Sequence, residues 1–255
     1  MKNIYVLIRI PKCGSTSLEN MVKHALPDNK LYPLSALGEA AGLNIIERIR
    51  LKRNMLSVKR RYGAFSEKSM WRNISKECHD GDIVSAHMPY GAITLDGCNY
   101  RYITLLRDPV ERVVSAYYYS RHSYRNLPFH RRVYRTGSDK AAGNKSFRGF
   151  LEYLSANKNL YSNPMVRYIT GDGFHEDPFG FLQDNYFHFG VLEEINLFAK
   201  QLGDKLGCEI PADRSNVTKE KSTPEFSAKE MELINDLYEG DIQLYRNVKE
   251  LVLSV

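Results

Sequence analysis

The sequence predicts an α/β fold in three layers, with a mostly parallel central sheet flanked on both faces by helices. Short runs rich in β-branched and aromatic residues alternate with helical periodicity along the 255 residues. Those runs are apolar nearly throughout, as strands buried on both faces are, rather than alternating polar and apolar. The polar residues that interrupt the pattern stand where strands end, and there open α/β sheets bind ligands.

Taken in order, Ile4 to Ile10 is apolar apart from Arg9 and reads as the first strand. Thr16 to Leu26 follows with apolar residues at Leu18, Met21, Val22, Ala25 and Leu26, a helical rhythm that Pro27 ends. Residues 28–76 offer several helical pieces without clear boundaries. One of them, RIRLKRNMLSVKRRY from Arg48, is basic enough to be a solvated helix face. Ile83 to Ala86 is a second strand running into His87, and Tyr100 to Leu106 a third, stopped by Arg107-Asp108-Pro109. Pro109 suits the first turn of a helix with Asp108 as its cap, and that helix runs through VERVVSAYYYS. Helices are expected over Phe147–Ala156 and Pro164–Ile169, a strand ending near Val191, and a helix over Glu194–Leu206. A polar loop then leads to a long amphipathic helix from Ala228 to Leu253. The chain shows no internal repeat, and its length suits one domain over residues 1–255.

Hydrophobic residues make up 43% of the chain and charged residues 26%, enough apolar material for a sizeable core. Lys and Arg number 36 against 30 Asp and Glu, and the resulting +6 favours an anionic partner without choosing among cofactor, glycan, nucleic acid or membrane surface. The four cysteines, Cys13, Cys78, Cys98 and Cys208, are spaced for neither a zinc site nor a disulfide framework, so a reducing compartment is expected. Met1 leads directly into the first strand, and no apolar run approaches the ~20 residues of a membrane-spanning helix. The expectation is a soluble cytoplasmic protein without a transmembrane segment.

The loop PKCGSTS lies between the first strand and its helix. Gly14 permits a tight turn, and the amides of Gly14, Ser15, Thr16 and Ser17 would face outward at a helix N-terminus, where the helix dipole favours an anion. Lys12 adds a mobile positive charge. The lysine precedes the glycine and no Gly-Lys-Ser/Thr follows, so the loop is not a Walker A loop. Taken alone, it fits an ordinary capped turn equally well. At the third strand's end, Arg107 and, one helix later, Ser115 could grip a phosphate by charge and hydroxyl together. Arg112, Ser115 and Tyr119 are spaced to share a helix face.

Together these motifs resemble the sulfotransferases that use 3'-phosphoadenylyl sulfate (PAPS), in particular the branch of carbohydrate enzymes that includes the heparan sulfate and uronyl 2-O-sulfotransferases. PKCGSTS stands in place of that branch's P-K-[TC]-G-[GS]-T-[ST], and RDPVERVVSAY fills every fixed position of R-D-P-[VI]-x-R-x-x-S-x-[YF]. NPMVRYITG, FGVLEEINLFAKQLGDKLG and INDLYEGDIQLY are softer matches. The resemblance runs from residue 3 to near 250, and is thin over 28–80 and 121–160. It implies a P-loop-like sulfotransferase domain. In it Lys12, Cys13, Gly14, Ser15, Thr16 and Ser17 hold the 5'-phosphosulfate, and Arg107 and Ser115 bind the 3'-phosphate. It further implies that Thr218, Lys219 and Lys221 close over the nucleotide, with Cys13 standing where threonine is usual. His87, at the second strand's end in SAHMPYG, takes the place of the branch's catalytic base. The implied reaction is in-line transfer of a sulfuryl group to a hydroxyl, leaving adenosine 3',5'-bisphosphate. Lys12 neutralises charge on the bridging oxygen and no metal is required.

The implied acceptor is a small molecule or a glycan, with no nucleic acid as partner. Between residues 121 and 148 eight Lys and Arg residues are offset only by Asp139, with aromatic residues between them. The segment suits either a cleft for an acidic saccharide or a solvated basic loop. Two other functions stay open at the level of the residues. A nucleotide or small-molecule kinase with an atypical loop would need a Mg²⁺-holding carboxylate, and Asp108 is the obvious one. A non-catalytic binder of polyanions would account for the charge but not for the paired motifs at strand ends.

Overall fold

β1 (Lys2–Ile8), the first strand expected, lies at the centre of a five-stranded sheet. We describe residues 1–34, 67–172, 175–213 and 225–254 of the chain in a computed structural model. The basic run from Arg48 to Arg61, and Thr218, Lys219 and Lys221, lie outside the described residues. The strands are ordered β2-β3-β1-β4-β5, with β2 at Leu31–Leu34, β3 at Ile83–Ala86, β4 at Cys98–Leu106 and β5 at Tyr186–Val191. Every neighbouring pair is parallel. The chain leaves β1 towards β2 on one side and leaves β4 towards β5 on the other. The carboxyl ends of β1 and β4 therefore flank the sheet's switch point, where a ligand crevice opens.

Both faces of β1 are buried, which explains its nearly unbroken apolar run. On one face Leu7, Ile103 and Leu105 pack against α1 (Ser15–Ala25) through Leu18, Met21 and Val22, and against α10 (Ile195–Leu206) through Phe198 and Leu202. On the other, Ile4, Val6, Ile8 and Leu106 meet Met70 and Ile74 of α2 (Glu67–Glu77), Met165 and Ile169 of α8 (Pro164–Thr170), and Leu244 and Val248 of α11 (Ala228–Leu253). These are the three layers expected. Each fully buried Leu or Ile contributes about 1.5–3 kcal/mol of transfer free energy, so the sheet is the most strongly held part of the chain.

A third cluster is all helix. α3 (Pro109–Arg125), α5 (Gly137–Asn144) and α6 (Phe147–Ser155) pack Val113, Tyr117, Ala142, Phe150 and Leu151 against Ile234 and Leu237 of α11. Short helices α4 (Phe129–Arg132) and α7 (Lys158–Tyr161) link its members, and α9 (Pro178–Asn185) precedes β5. α11 thus spans two cores, with its first half in the helical cluster and its second half on the sheet. It bends between them at Tyr238 (φ −127°, ψ 25°).

Asn163 fills the bend. Its amide donates to the Leu237 carbonyl at 3.2 Å, and its Oδ1 accepts the Asp241 amide at 3.2 Å, taking up backbone groups that a bent helix leaves over. Asp241, fully buried, returns the contact by accepting the Met165 and Val166 amides at the start of α8.

Candidate active site

The loop after β1 is built to leave a helix terminus bare. Arg9 closes the strand by donating its amide to the Ala86 carbonyl at 2.9 Å, and the Cys13 amide turns back to Ile10 at 3.2 Å. Lys12 (φ 71°) and Gly14 (φ 74°) both take the left-handed conformation. At Gly14 any side chain would be strained and its Cβ would run into Leu192, just past β5. α1 then starts at Ser15 with no side-chain cap and no acidic residue in its first turn. The amides of Ser15, Thr16 and Ser17 therefore have no carbonyl within their own helix, and the positive end of its dipole faces the crevice. Thr16 is exposed and Ser15 half-buried, while the Ser17 side chain is buried. Cys13, 1% exposed, puts its side chain into the core, where burial pushes the thiol up to about 12. It contributes only backbone to the loop.

Lys12 and Arg107 are brought to one face of α3. Asp108 caps that helix as expected, accepting the Val110 and Glu111 amides at 2.9 and 3.0 Å, with Pro109 in the first turn. Arg107 donates to the Lys12 carbonyl at 3.2 Å and to Glu111 Oε2 at 3.3 Å. Lys12 Nζ lies 4.0 Å from the centroid of the Tyr119 ring, which is 62% exposed. Glu111, Ser115 and Tyr119 are successive turns of the same face, so half-buried Ser115 sits between the places where the two cations touch the helix. Burial, then the charge of Arg107, holds the Lys12 ammonium below its ordinary pKa.

Arg112, seven residues before Tyr119, lies on the same side of α3 by helical spacing but is buried. It points inward beside Val113 and Tyr117, is 6% exposed, and lies 5.1 Å from the Tyr238 ring centroid. The spacing that groups Arg112 with Ser115 and Tyr119 stands, but Arg112 is buried at 6% exposure whereas Tyr119 is exposed. A cation on the buried side of an amphipathic helix cannot be told by spacing from one on its solvent edge.

His87 stands at the carboxyl end of β3, beside that of β1. Its Nδ1 is 2.6 Å from the Arg9 carbonyl. A carbonyl only accepts, so Nδ1 carries the proton and Nε2 is left as the basic nitrogen. Burial, then the positive charge of Arg9, lowers the imidazole pKa. Around it, Arg9 Nη1 meets Glu19 Oε2 of α1 at 2.9 Å, and the Ser85 hydroxyl donates to the same oxygen. Arg9, Glu19 and Leu192 were not singled out by the sequence as site residues. Arg9 had one visible signal, a lone charge in an apolar strand.

The basic stretch 121–148 is partly spent on its own backbone. Arg121 donates to the Lys145 carbonyl at 2.8 Å, Arg125 to Gly143 at 3.1 Å, and Arg132 to Leu127 and Arg125 at 2.9 and 2.8 Å. What it exposes is aromatic as well as basic: Phe129 is 82% exposed, and Tyr118, Tyr134 and Arg131 are exposed near it in sequence. Cys78 and Cys98, 20 residues apart, are brought to 3.9 Å, sulfur to sulfur, at the opposite end of β4. Among the described residues, no group of three His, Cys, Asp or Glu side chains is placed to hold a metal, and no helix is long and apolar enough to cross a membrane.

Residues 2–170 match the profile of the Sulfotransferase family. The chain is similar to the crystal structure of a sulfotransferase from Alicyclobacillus acidocaldarius at a TM-score of 0.51 and 13% identity, covering 97% of this chain and 95% of that one. At that identity the likeness speaks to the fold. It is also similar to mouse sulfotransferase SULT7A1 complexed with PAP, at a TM-score of 0.41 and 15% identity over 82% of this chain and 60% of that one. Comparison with curated proteins gives no match.

Proposed function

The chain belongs to the sulfotransferase family, and from that premise we propose that it moves the sulfuryl group of PAPS to a hydroxyl of a carbohydrate acceptor, with His87 as general base. The observation that supports this most is the meeting of Lys12 and Arg107 on one α3 face around Ser115, beside the uncapped start of α1. That arrangement fits the two anionic ends of PAPS. The amides of Gly14, Ser15, Thr16 and Ser17 suit the phosphosulfate, and Arg107 and Ser115 suit the 3'-phosphate. Thr218, Lys219 and Lys221 complete the nucleotide site in this reading.

PAPS, when bound, supplies the sulfuryl group and leaves as adenosine 3',5'-bisphosphate. Lys12 brings positive charge to the oxygen that becomes negative as the group departs, and the loop amides hold the anion in place. His87 Nε2 takes the proton from the acceptor hydroxyl, with its ring oriented by the Arg9 carbonyl. Exposed Phe129 and Tyr134 offer flat faces to sugar rings, and Arg131 offers charge to acidic groups. A kinase reading is weakened because the carboxylate of Asp108 is engaged in capping α3.

Thermal stabilisation separates the functions. Adenosine 3',5'-bisphosphate should raise the melting temperature by mass action, more than ATP with Mg²⁺ or an oligonucleotide does. Stabilisation by ATP with Mg²⁺ alone would overturn the donor assignment. Labelled-sulfate transfer across glycans, phenols and simple alcohols then tests the acceptor, and transfer confined to phenols would remove the carbohydrate.

A further inference from the structure

In the proposed reaction the proton goes to His87, and among the described residues the ring's hydrogen bond is to a backbone carbonyl and not to a side chain. Its Nδ1–H rests on the Arg9 carbonyl, so the ring is placed only as well as Arg9 is. Arg9 is anchored twice, by its amide to the Ala86 carbonyl at 2.9 Å and by its guanidinium to Glu19 at 2.9 Å. The Glu19 oxygen that receives Arg9 also accepts the hydroxyl of Ser85, which is fully buried in β3 two residues before His87. One carboxylate on α1 thereby ties together the ends of both strands beneath the imidazole. α1 is also the helix whose bare amino end faces the crevice.

We propose that Glu19 is a positioning residue for the reaction. Through Arg9 and Ser85 it fixes the place and tautomer of His87, so that Nε2 meets the acceptor unprotonated and in register with the donor loop. This rests on the assignment of His87 as the base. Glu19 lies two turns or less from Ser15, Thr16 and Ser17 on one rigid helix, so any shift of the loop shifts the Arg9 anchor with it. Arg9, just past β1, and Glu19, from α1, are the charged groups among the described residues that bear on the imidazole, and they act in opposite senses. The cation lowers its pKa, the carboxylate raises it, and burial exceeds both.

Glu19→Gln keeps acceptor oxygen for Ser85 and Arg9 but removes the charge, whereas Glu19→Ala removes both. The full chain is compared as wild type and as these two variants, by NMR of the imidazole nitrogens and by pH–rate profiles. In the wild type the neutral ring should show its proton on Nδ1. Glu19→Gln should move both the His87 titration and the acid limb of kcat/KM to lower pH, by about half a unit. Glu19→Ala should mix the tautomers and lower kcat about tenfold or more, with the donor KM changed less than about twofold. Unmoved titration and tautomer in both variants would overturn the positioning role, whatever the rates, because a plain helix-to-sheet staple predicts that result. His87→Ala separates the two ideas: full activity there would sink the base assignment, and the catalytic meaning of Glu19 with it.

Discussion

Lys12 sits in a left-handed conformation that costs an L-residue roughly 1–2 kcal/mol, and its side chain is laid over Tyr119 instead of out into water. The ammonium is partly desolvated and is lowered in pKa by burial and by Arg107. In the proposed reaction this charge acts on the transition state more than on ground-state binding. Lys12→Ala should therefore reduce kcat about 10²- to 10³-fold while changing the affinity for adenosine 3',5'-bisphosphate by no more than about threefold. Calorimetric affinity set beside initial rates checks this, and equal losses in both would count against the role. His87 adds a pH dependence. In the proposed reaction the neutral ring is the active form, and burial with Arg9 lowers its pKa. The acid limb of kcat/KM should thus lie below the ordinary histidine value of about 6.5. The same shift bears on stability: the folded state holds the His87 proton less tightly than the unfolded chain. The stability it contributes is complete above that ordinary value and is lost as pH falls through the lowered one. A rate profile with its acid limb above about 6.5 would contradict the assignment.

At the scale of elements, the NPMVRYITG segment is explained by what its first and last residues touch. Asn163 takes up the hydrogen bonds of the α11 bend, and Gly171 (φ 77°) ends α8 where a Cβ would come within 2.6 Å of the Tyr90 carbonyl. Tyr90 follows His87 by three residues, and its ring is clamped by Tyr102, Phe181 and Tyr186. Gly171→Ala should consequently cost stability and, if His87 is the base proposed, also lower turnover, by pushing on the segment that bears His87. Asn163→Ala should cost about 1–3 kcal/mol with a smaller effect on rate. Denaturant midpoints and initial rates on the same preparations distinguish them, and a Gly171→Ala protein of full activity would show that the contact does not reach His87. Such contacts join residues far apart in sequence, so the motif could be matched but not explained from the residues alone. Periodicity did find the long strands and helices, because burial on both sheet faces and on helix stripes is written in local pattern. It missed β2, which is four residues long and contains Pro33, and it missed α5 and α9, which contain glycines. The second of the two glycines in α5 sits where α3 is close: a Cβ on Gly143 would collide with the Tyr124 ring.

At the scale of the whole molecule, the sheet and the helical cluster are joined through the buried polar groups at the α11 bend. Arg112 reaches inward from α3, its ring contact Tyr238 is at the bend, and Asp241 one turn later holds the start of α8. The charge of Arg112 bears both on the Asp241 carboxyl and on Cys13 in the loop after β1, so this junction is electrostatically linked to the candidate site. Burial pushes the Asp241 carboxyl up to about 6, against the pull of Arg112 and the two amides. The sign follows from linkage. A carboxyl whose folded pKa exceeds its unfolded value binds its proton more tightly in the folded state. Its contribution is therefore complete below the unfolded value of 3.8 and is lost as pH rises through about 6. Asp241→Asn cannot titrate, so its stability relative to wild type should improve between pH 4 and 7, even if a lost amide contact lowers it throughout. Arg112→Met at neutral pH should be destabilising, by about 1–3 kcal/mol, because it removes the cation that favours the charged form of the buried Asp241 carboxyl. Adding Asp241→Asn to it should recover part of that loss, and a double-mutant cycle reads the coupling. Strictly additive effects, together with a pH-independent difference between Asp241→Asn and wild type, would mean that the two halves of α11 are held by their apolar contacts alone.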